Sequence, residues 1–239
     1  MRLCVLGATG RSGRRIVSGA LERGHAVTAL VRRDGGLVPH PRLVVRQVAF
    51  SELDALADAV RAHDAVINAA GYVADGPRFT ALVGRVIAAT AQGLGPGGRF
   101  WCFGGAALLD VPDGGGMGID LPGVPRIYQA HRTNYDAVRA TALDWSILCP
   151  GPMVAAPAAA ALPGLVMSED IWPVPRPALT RFLPRLATSL AFKQAMPRLA
   201  ISYEDAARVI LDHLEPKGRF FCKRVGVALP AARERKASP

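Results

Sequence analysis

The sequence predicts an α/β fold: a single doubly wound parallel sheet with helices on both faces, followed by a small C-terminal lid region. Three observations carry this reading. Short apolar runs alternate with helix-like stretches from Leu3 to Cys149, the rhythm of parallel strands buried on both faces by crossover helices. A glycine-rich turn separates the first run from the first helical stretch. The length, 239 residues, suits one sizeable domain and is too short for two of equal size.

The first strand is the run Leu3-Cys4-Val5-Leu6, and Gly7-Ala8-Thr9-Gly10-Arg11-Ser12-Gly13 leads from it into a helix over Arg14 to Arg23. Each glycine has its own reason. Gly7 makes the tight turn, Gly10 lets backbone approach a pyrophosphate, and Gly13 lets helix pack on strand. Free N–H groups at the helix start, with the helix dipole behind them, favour a bound anion. Thr9, Arg11 and Ser12 are further phosphate contacts in the same loop. A second strand, Ala26 to Val31, follows at βαβ spacing and ends in Arg32-Arg33, where a reader of a ribose 2′-hydroxyl carries Asp or Glu. The unit therefore reads as a Rossmann-like dinucleotide site, with NADP(H) preferred over NAD(H) because an arginine offers a charged fork to a 2′-phosphate. Asp34 keeps both cofactors open, and solvated surface charge is the other reading of the two arginines.

A turn-rich stretch from Gly35 to Pro41 precedes a third strand, Leu43 to Val48, and a helix from Ser51 to Ala62. Ser51 is the expected cap, with Asp54 three residues on. A fourth strand begins at Asp64 and runs out into a glycine loop, so that Asn68, Ala70, Gly71 and Tyr72 face the cofactor at the carboxyl end of the sheet. A helix over Val83 to Ala91, a strand over Arg99 to Phe103, a long helix over Tyr128 to Thr141 and a strand over Trp145 to Cys149 complete the alternation. They bring Phe103, Gly104 and Pro150 to the same crevice. The rhythm then breaks. Residues 151–200, rich in Ala and Pro, form the variable part in which a substrate pocket or lid is built, and Met153 opens it; an oligomerisation surface is the alternative. A helix is expected over Leu179 to Phe192, another from Ser202 to Leu214, and a last strand over Phe220 to Cys222. The domain thus spans residues 1–228, and residues 229–239 read as a disordered basic tail.

Lys and Arg number 29 against 19 Asp and Glu, a net charge of +10. All but four of the basic residues are arginines, scattered from Arg2 to Arg235 without aromatic interleaving. Such a surface suits solubility and phosphorylated ligands and gives no specific nucleic-acid site. No apolar run reaches membrane-spanning length, and the N-terminus enters a core strand at once, so a cytoplasmic protein without a signal peptide is expected. Cys4, Cys102, Cys149 and Cys222 lie in or beside strand-like runs without CxxC spacing, which points to reduced thiols, with no metal site and no disulfide. The partner is a small-molecule substrate, and the chain is expected as a monomer or homodimer.

Several segments together resemble the atypical short-chain dehydrogenase/reductase group, in particular its NmrA-like and flavin reductase (biliverdin IXβ reductase)-like NAD(P)H-binding proteins. They are GATGRSG at 7–13, LVRR at 30–33, NAAG at 68–71, FGGAALLD at 103–110, LDWSILCPGPM at 143–153 and ISYEDAARVILDHLE at 201–215. The last two carry most of the specificity. The resemblance covers Met1 to about Val227 and implies a single-domain sheet that binds NADP(H), with substrate over the nicotinamide.

In that group the usual proton donor is a tyrosine with a lysine four residues later, a spacing that puts both on one helix face. Here no lysine precedes Lys193, so that pair is absent from the helix. Tyr128 with Arg132 and Tyr135 with Arg139 keep the spacing, but arginine cannot shuttle a proton. Registering the helix against Leu143-Asp144-Trp145 puts His131 where many relatives carry lysine and the flavin reductase-like proteins carry histidine. His131 and Tyr128 are therefore the candidate catalytic residues, and Tyr72 and Met153 the candidate substrate contacts. The loop Gly104-Gly105-Ala106-Ala107 also lacks the hydroxyl that relatives use on a substrate carbonyl. This favours hydride transfer from NADPH to a quinone, flavin or enone over alcohol–ketone chemistry. A non-catalytic NADP(H)-sensing protein and an NADP-dependent epimerase or other redox-neutral enzyme are the alternatives.

Overall fold

The computed structural model describes residues 1–33, 35–112, 116–155, 164–175 and 185–231, the side chains of 185–187 excepted. In chain order the strands are β1 (Arg2–Leu6), β2 (Ala26–Val31), β3 (Leu43–Gln47), β4 (Ala65–Asn68), β5 (Arg99–Phe103), β6 (Asp144–Cys149), β7 (Met153–Val154), β8 (Val166–Glu169), β9 (Ile201–Ser202) and β10 (Lys223–Ala228). Eight of them form one sheet in the order β3-β2-β1-β4-β5-β6-β10-β8. Every pairing in it is parallel except β10 with β8. The order reverses between β1 and β4, so the loops after these two strands part and open a crevice at their carboxyl ends. The outermost strand, β8, is the departure from an all-parallel sheet. It lies antiparallel to β10, with Val166 opposite Ala228 and Glu169 opposite Val225.

The helices are α1 (Arg11–Glu22), α2 (Leu53–Val60), α3 (Pro77–Leu94), α4 (Gln129–Arg139), α5 (Arg185–Leu199) and α6 (Tyr203–Leu211). Apolar positions at helical spacing decide which face each covers. Ile16, Val17, Ala20 and Leu21 of α1 meet Ala206, Val209 and Ile210 of α6 in one core, on one side of the sheet. Leu56 and Val60 of α2, Val83 and Ile87 of α3 and Val138 of α4 fill a second core on the other side. This is the doubly wound, Rossmann-like architecture that the alternation predicts. At the start of α6, Ser202 Oγ accepts from the Asp205 amide at 2.8 Å while the Asp205 carboxylate accepts from the Ser202 amide at 3.3 Å, a complete capping box.

Some boundaries differ from expectation. The Ser51 cap does not form: its hydroxyl donates to the Glu52 carboxylate at 3.2 Å, and α2 starts at Leu53 without a side-chain cap. The last strand is Lys223–Ala228, not Phe220–Cys222. Phe220 is buried edge-on against Trp101 with ring centroids 6.3 Å apart, and Cys222 adopts φ +53°, so the bulky run is a turn. The true strand carries Lys223, Arg224 and Gly226, which hide it from a search for apolar runs. α1 begins three residues early because extended Gly10 serves as its N-cap. Asp34, residues 156–163, residues 179–184 of the expected helix and residues 232–239 of the tail lie outside the described residues. Among the described residues no helix is long and apolar enough to cross a membrane, and no group of His, Cys, Asp and Glu could hold a metal. Cys4, Cys102 and Cys149 are buried free thiols, and Cys222 is a half-buried one.

Two buried arginines tie the sheet to its surroundings. Arg99, at the amino end of β5, pairs with Asp144 at 2.9 Å, both 1% exposed, and also donates to Ser146 Oγ and the His213 carbonyl. Arg224 of β10 donates to Asp110, Asp170 and the Leu108 carbonyl, which fastens β10 to the loop after β5. Breaking a buried pair strands a charge. Arg99→Leu is therefore expected to lower unfolding free energy by about 3–5 kcal/mol, measured by urea denaturation, while cofactor affinity of the remaining folded protein is unchanged because the pair sits at the opposite end of the sheet from the crevice.

Candidate functional site

The glycine turn is the floor of the crevice. Gly7 sits at φ +72°, and a β-carbon on it would come within 2.5 Å of the Ala70 nitrogen, so the β1 and β4 loops touch backbone to backbone. A β-carbon on Gly13 would overlap the Gly7 carbonyl, so only glycine lets the first turn of α1 rest on that loop. The first intrahelical bond runs from the Arg14 amide to the Gly10 carbonyl at 2.9 Å. The amides of Arg11, Ser12 and Gly13 precede it and point out of the helix end, where no acidic residue stands in the first turn. This cradle, closed to side chains and rich in donors, fits a dinucleotide pyrophosphate.

Arg14 was not singled out by the sequence. Its guanidinium donates to the Thr9 carbonyl at 3.0 Å, to the Gly36 carbonyl at 3.1 Å and to the Gly35 carbonyl. It thereby straps the segment after β2 across the glycine turn, and Gly35 packs on the Thr9 side chain. Arg32 and Arg33, just before this strap, are exposed at the carboxyl end of β2 and lie outside the cavity described next. Thr9 thus serves as support for the turn.

From the cradle a cavity of about 960 Å³ extends along the carboxyl ends of the strands. The residues expected there come together: Gly10, Arg11 and Ser12 after β1, Asn68, Ala70, Gly71 and Tyr72 after β4, Phe103 and Gly104 after β5, and Pro150 and Met153 after β6. Asn68, 3% exposed, spends its side-chain oxygen on the Ala70 amide at 3.0 Å, so it shapes the turn that lines the cavity. The far compartment is apolar, with Phe79 and Val83 of α3, Ala106 and Val124 opposite, and Phe192 and Met196 of α5.

His131 and Tyr128 both reach this compartment. The two rings stack at 6.2 Å and 9°, and Phe79 meets the imidazole edge-on at 5.6 Å. Burial among these rings lowers the His131 pKa from 6.5 to about 4, so the ring is neutral at pH 7. Its Nδ1 is buried without a partner, and so is the side-chain amide of Asn134 one turn on. Neither ring nitrogen of His131 has a hydrogen-bond partner among the described residues, and Nε2 is not among the buried unpartnered atoms. The arginine substitutes for lysine are absent from the site. Arg132 pairs with Asp120 at 2.6 Å, and Tyr135 is a core residue with Arg139 and Arg224 over its ring.

Three contributions escaped sequence reading. Tyr203 lines the cavity at the cradle end, 3.4 Å from Arg11 Nη1, a role that neither its place at a helix start nor its motif indicates. The wall from α5 lies in the 151–200 segment expected to build the pocket, but its individual lining residues, Phe192 and Met196, were not singled out. Its Lys193 also lines the cavity, so the site is not free of lysine, but that lysine stands at the mouth rather than four residues beyond a tyrosine.

A family model for NAD(P)H-binding proteins matches residues 7–166. The uncharacterized protein YwnB of Bacillus subtilis is 26% identical over 156 residues, 63% of this chain and 71% of its own. A candidate NADH-flavin reductase from Streptococcus pneumoniae superposes with a TM-score of 0.72 at 25% identity, covering 96% of this chain and 100% of that one. A short-chain dehydrogenase/reductase from Veillonella parvula, solved in complex with NADP, has a TM-score of 0.66 at 16% identity over 96% and 95% of the two chains, a likeness of fold alone.

The buried imidazole makes a pH statement. Below pH 6.5 the unfolded chain binds a proton at His131 that the folded chain refuses until about pH 4. The stability it contributes is thus complete above 6.5 and lost as pH falls through that window. Melting temperatures of wild type and His131→Gln from pH 7.5 to 4 are expected to converge as pH falls, and parallel curves would contradict the assignment.

Proposed function

The chain belongs to the NAD(P)H-binding family, and on that premise we propose that it is an NADPH-dependent oxidoreductase acting on a small conjugated or aromatic acceptor. The observation that carries the proposal is one continuous cavity, with a phosphate cradle at one end and an apolar compartment holding a neutral imidazole at the other. Bound NADPH supplies the hydride. Gly10, Arg11, Ser12 and the free amides of α1 hold its pyrophosphate, and Arg32 and Arg33, beside the Arg14 strap, meet the 2′-phosphate, which is the basis for preferring NADP(H) to NAD(H).

The acceptor gains one hydride, which carries both electrons, and develops negative charge on oxygen or nitrogen. His131 meets that charge with Nε2–H as a fixed hydrogen-bond donor. At a pKa near 4 it is no proton reservoir at pH 7, so the final proton comes from water at the open mouth. Tyr128 has no cation beside its phenol in the described structure and serves as the stacking wall that keeps His131 in place. The loop Gly104 to Ala107 carries no hydroxyl to meet a substrate carbonyl, which favours quinones, flavins and enones over simple ketones.

NADPH oxidation followed at 340 nm with a quinone, a flavin and an enone is the test. Wild type is expected to favour NADPH over NADH by about tenfold or more in kcat/KM, and Arg32→Glu with Arg33→Glu to erase the preference. His131→Ala is expected to lower kcat by about 10²-fold with the KM for NADPH unchanged. Tight NADPH binding without oxidation by any acceptor would overturn the enzymatic reading in favour of a cofactor-sensing protein.

A further inference from the structure

Two basic side chains line the cavity, from different parts of the fold. Arg11 belongs to the cradle. Lys193 belongs to α5, next to Phe192, whose ring is stacked on Trp172 at 4.7 Å and 23°, so the helix face that carries it is anchored in the core. The ammonium reaches across the mouth towards the opposite loop, ending 3.7 Å from where a β-carbon on Gly123 would lie. Among the described residues it makes no ion pair, and no Asp or Glu lines the cavity. Around it the walls are Phe192, Met196, Val124 and Pro125.

A lone cation at the rim of an apolar slot has no use for a neutral aromatic ligand, and it lies at the far end from the phosphates of the cofactor. We propose that Lys193 is an anion-recognition point of the acceptor site, and that the ligand is an aromatic or conjugated acid: a flat apolar body between Phe79, His131 and Met196, with its carboxylate or sulfonate at the mouth. This rests on the reading of the cavity as a joint cofactor and acceptor site. The charge favours an anion in two ways, through a charge-assisted hydrogen bond at the rim and through attraction of the ligand to a cavity without counter-charge. It also sets orientation, because the anionic end stays at solvent and the conjugated end points inward to His131.

Binding measured without turnover keeps this proposal separable from the hydride-transfer reading. Calorimetric titration of the protein in saturating NADP+ would compare naphthalene-2-carboxylate with naphthalene-2-carboxamide. At low ionic strength wild type is expected to bind the carboxylate about tenfold tighter or more, Lys193→Arg to keep the preference, and Lys193→Gln to bring the two within about twofold. The side chain is exposed, so folding of these variants is not at stake. In turnover, Lys193→Gln is expected to raise KM for 1,4-naphthoquinone-2-sulfonate and leave that for 1,4-naphthoquinone unchanged. A carboxylate preference that survives Lys193→Gln would assign it to Arg11 and overturn the proposal, as would equal affinity for both probes in wild type or binding of neither. If the carboxylate preference is lost with the lysine while no acceptor is ever reduced, the anion site stands and the redox reading falls.

Discussion

Everything at the carboxyl end of the sheet depends on one contact made without side chains: the first turn of α1 on the Gly7 carbonyl, and Gly7 in turn on the backbone of Ala69 and Ala70. Any β-carbon at Gly7 or Gly13 would drive apart the helix, the β1 loop and the β4 loop. Because they touch, the amino end of α1 is aimed along the crevice at which the strand order reverses, and its unpaired amides become the cradle. The same docking brings α1 against α6, where Arg15 meets Glu204 at 2.6 Å and Arg23 meets Asp212 at 2.8 Å, and so carries Tyr203 to the cavity beside Arg11. Those ion pairs are surface-exposed and contribute little energy; the apolar seam between the helices holds the arrangement.

The two ends of the sheet divide the work. At the amino ends of β5 and β6 a buried ion pair fixes the strands, with Trp101 and Arg99 both donating to the His213 carbonyl. At the carboxyl ends the side chains are small or apolar, and polar groups are left with capacity to spare. Arg224 links the two regimes: its bonds to Asp110 and Leu108 hold the loop that follows the Gly104 to Ala107 wall of the cavity. A buried network of this kind favours a unique arrangement as much as a stable one.

The parallel strands and the cradle were legible in sequence because both are written in local chemistry. Apolar runs such as Ala65-Val66-Ile67 have one reading when bounded by turns, and Gly7, Gly10 and Gly13 have spacing that few other loops need. The remainder was not local. β10 pairs through Lys223 and Arg224, whose charges are neutralised by Asp170 and Asp110 from distant segments, so no window of sequence marks it as a buried strand. The α5 wall depends on Phe192 finding Trp172, a tertiary choice, and residues 179–184 of that expected helix lie outside the described structure. His131 was legible only through resemblance, and its neutrality follows from its burial beside the rings of Phe79 and Tyr128. The Ser51 cap is absent because α2 starts at Leu53, which puts Glu52 and not Ser51 at the N-cap position.

The strap made by Arg14 bears on encounter as well as architecture. Its donors go to three backbone carbonyls, none of which carries charge, so the guanidinium holds the turn together while its positive field stays unneutralised among the described residues. Such a field attracts any polyphosphate that comes near it. The residue then quickens arrival without choosing among arrivals: charge draws every polyphosphate inward, and discrimination is left to the geometry of the cradle and to what lies beyond it.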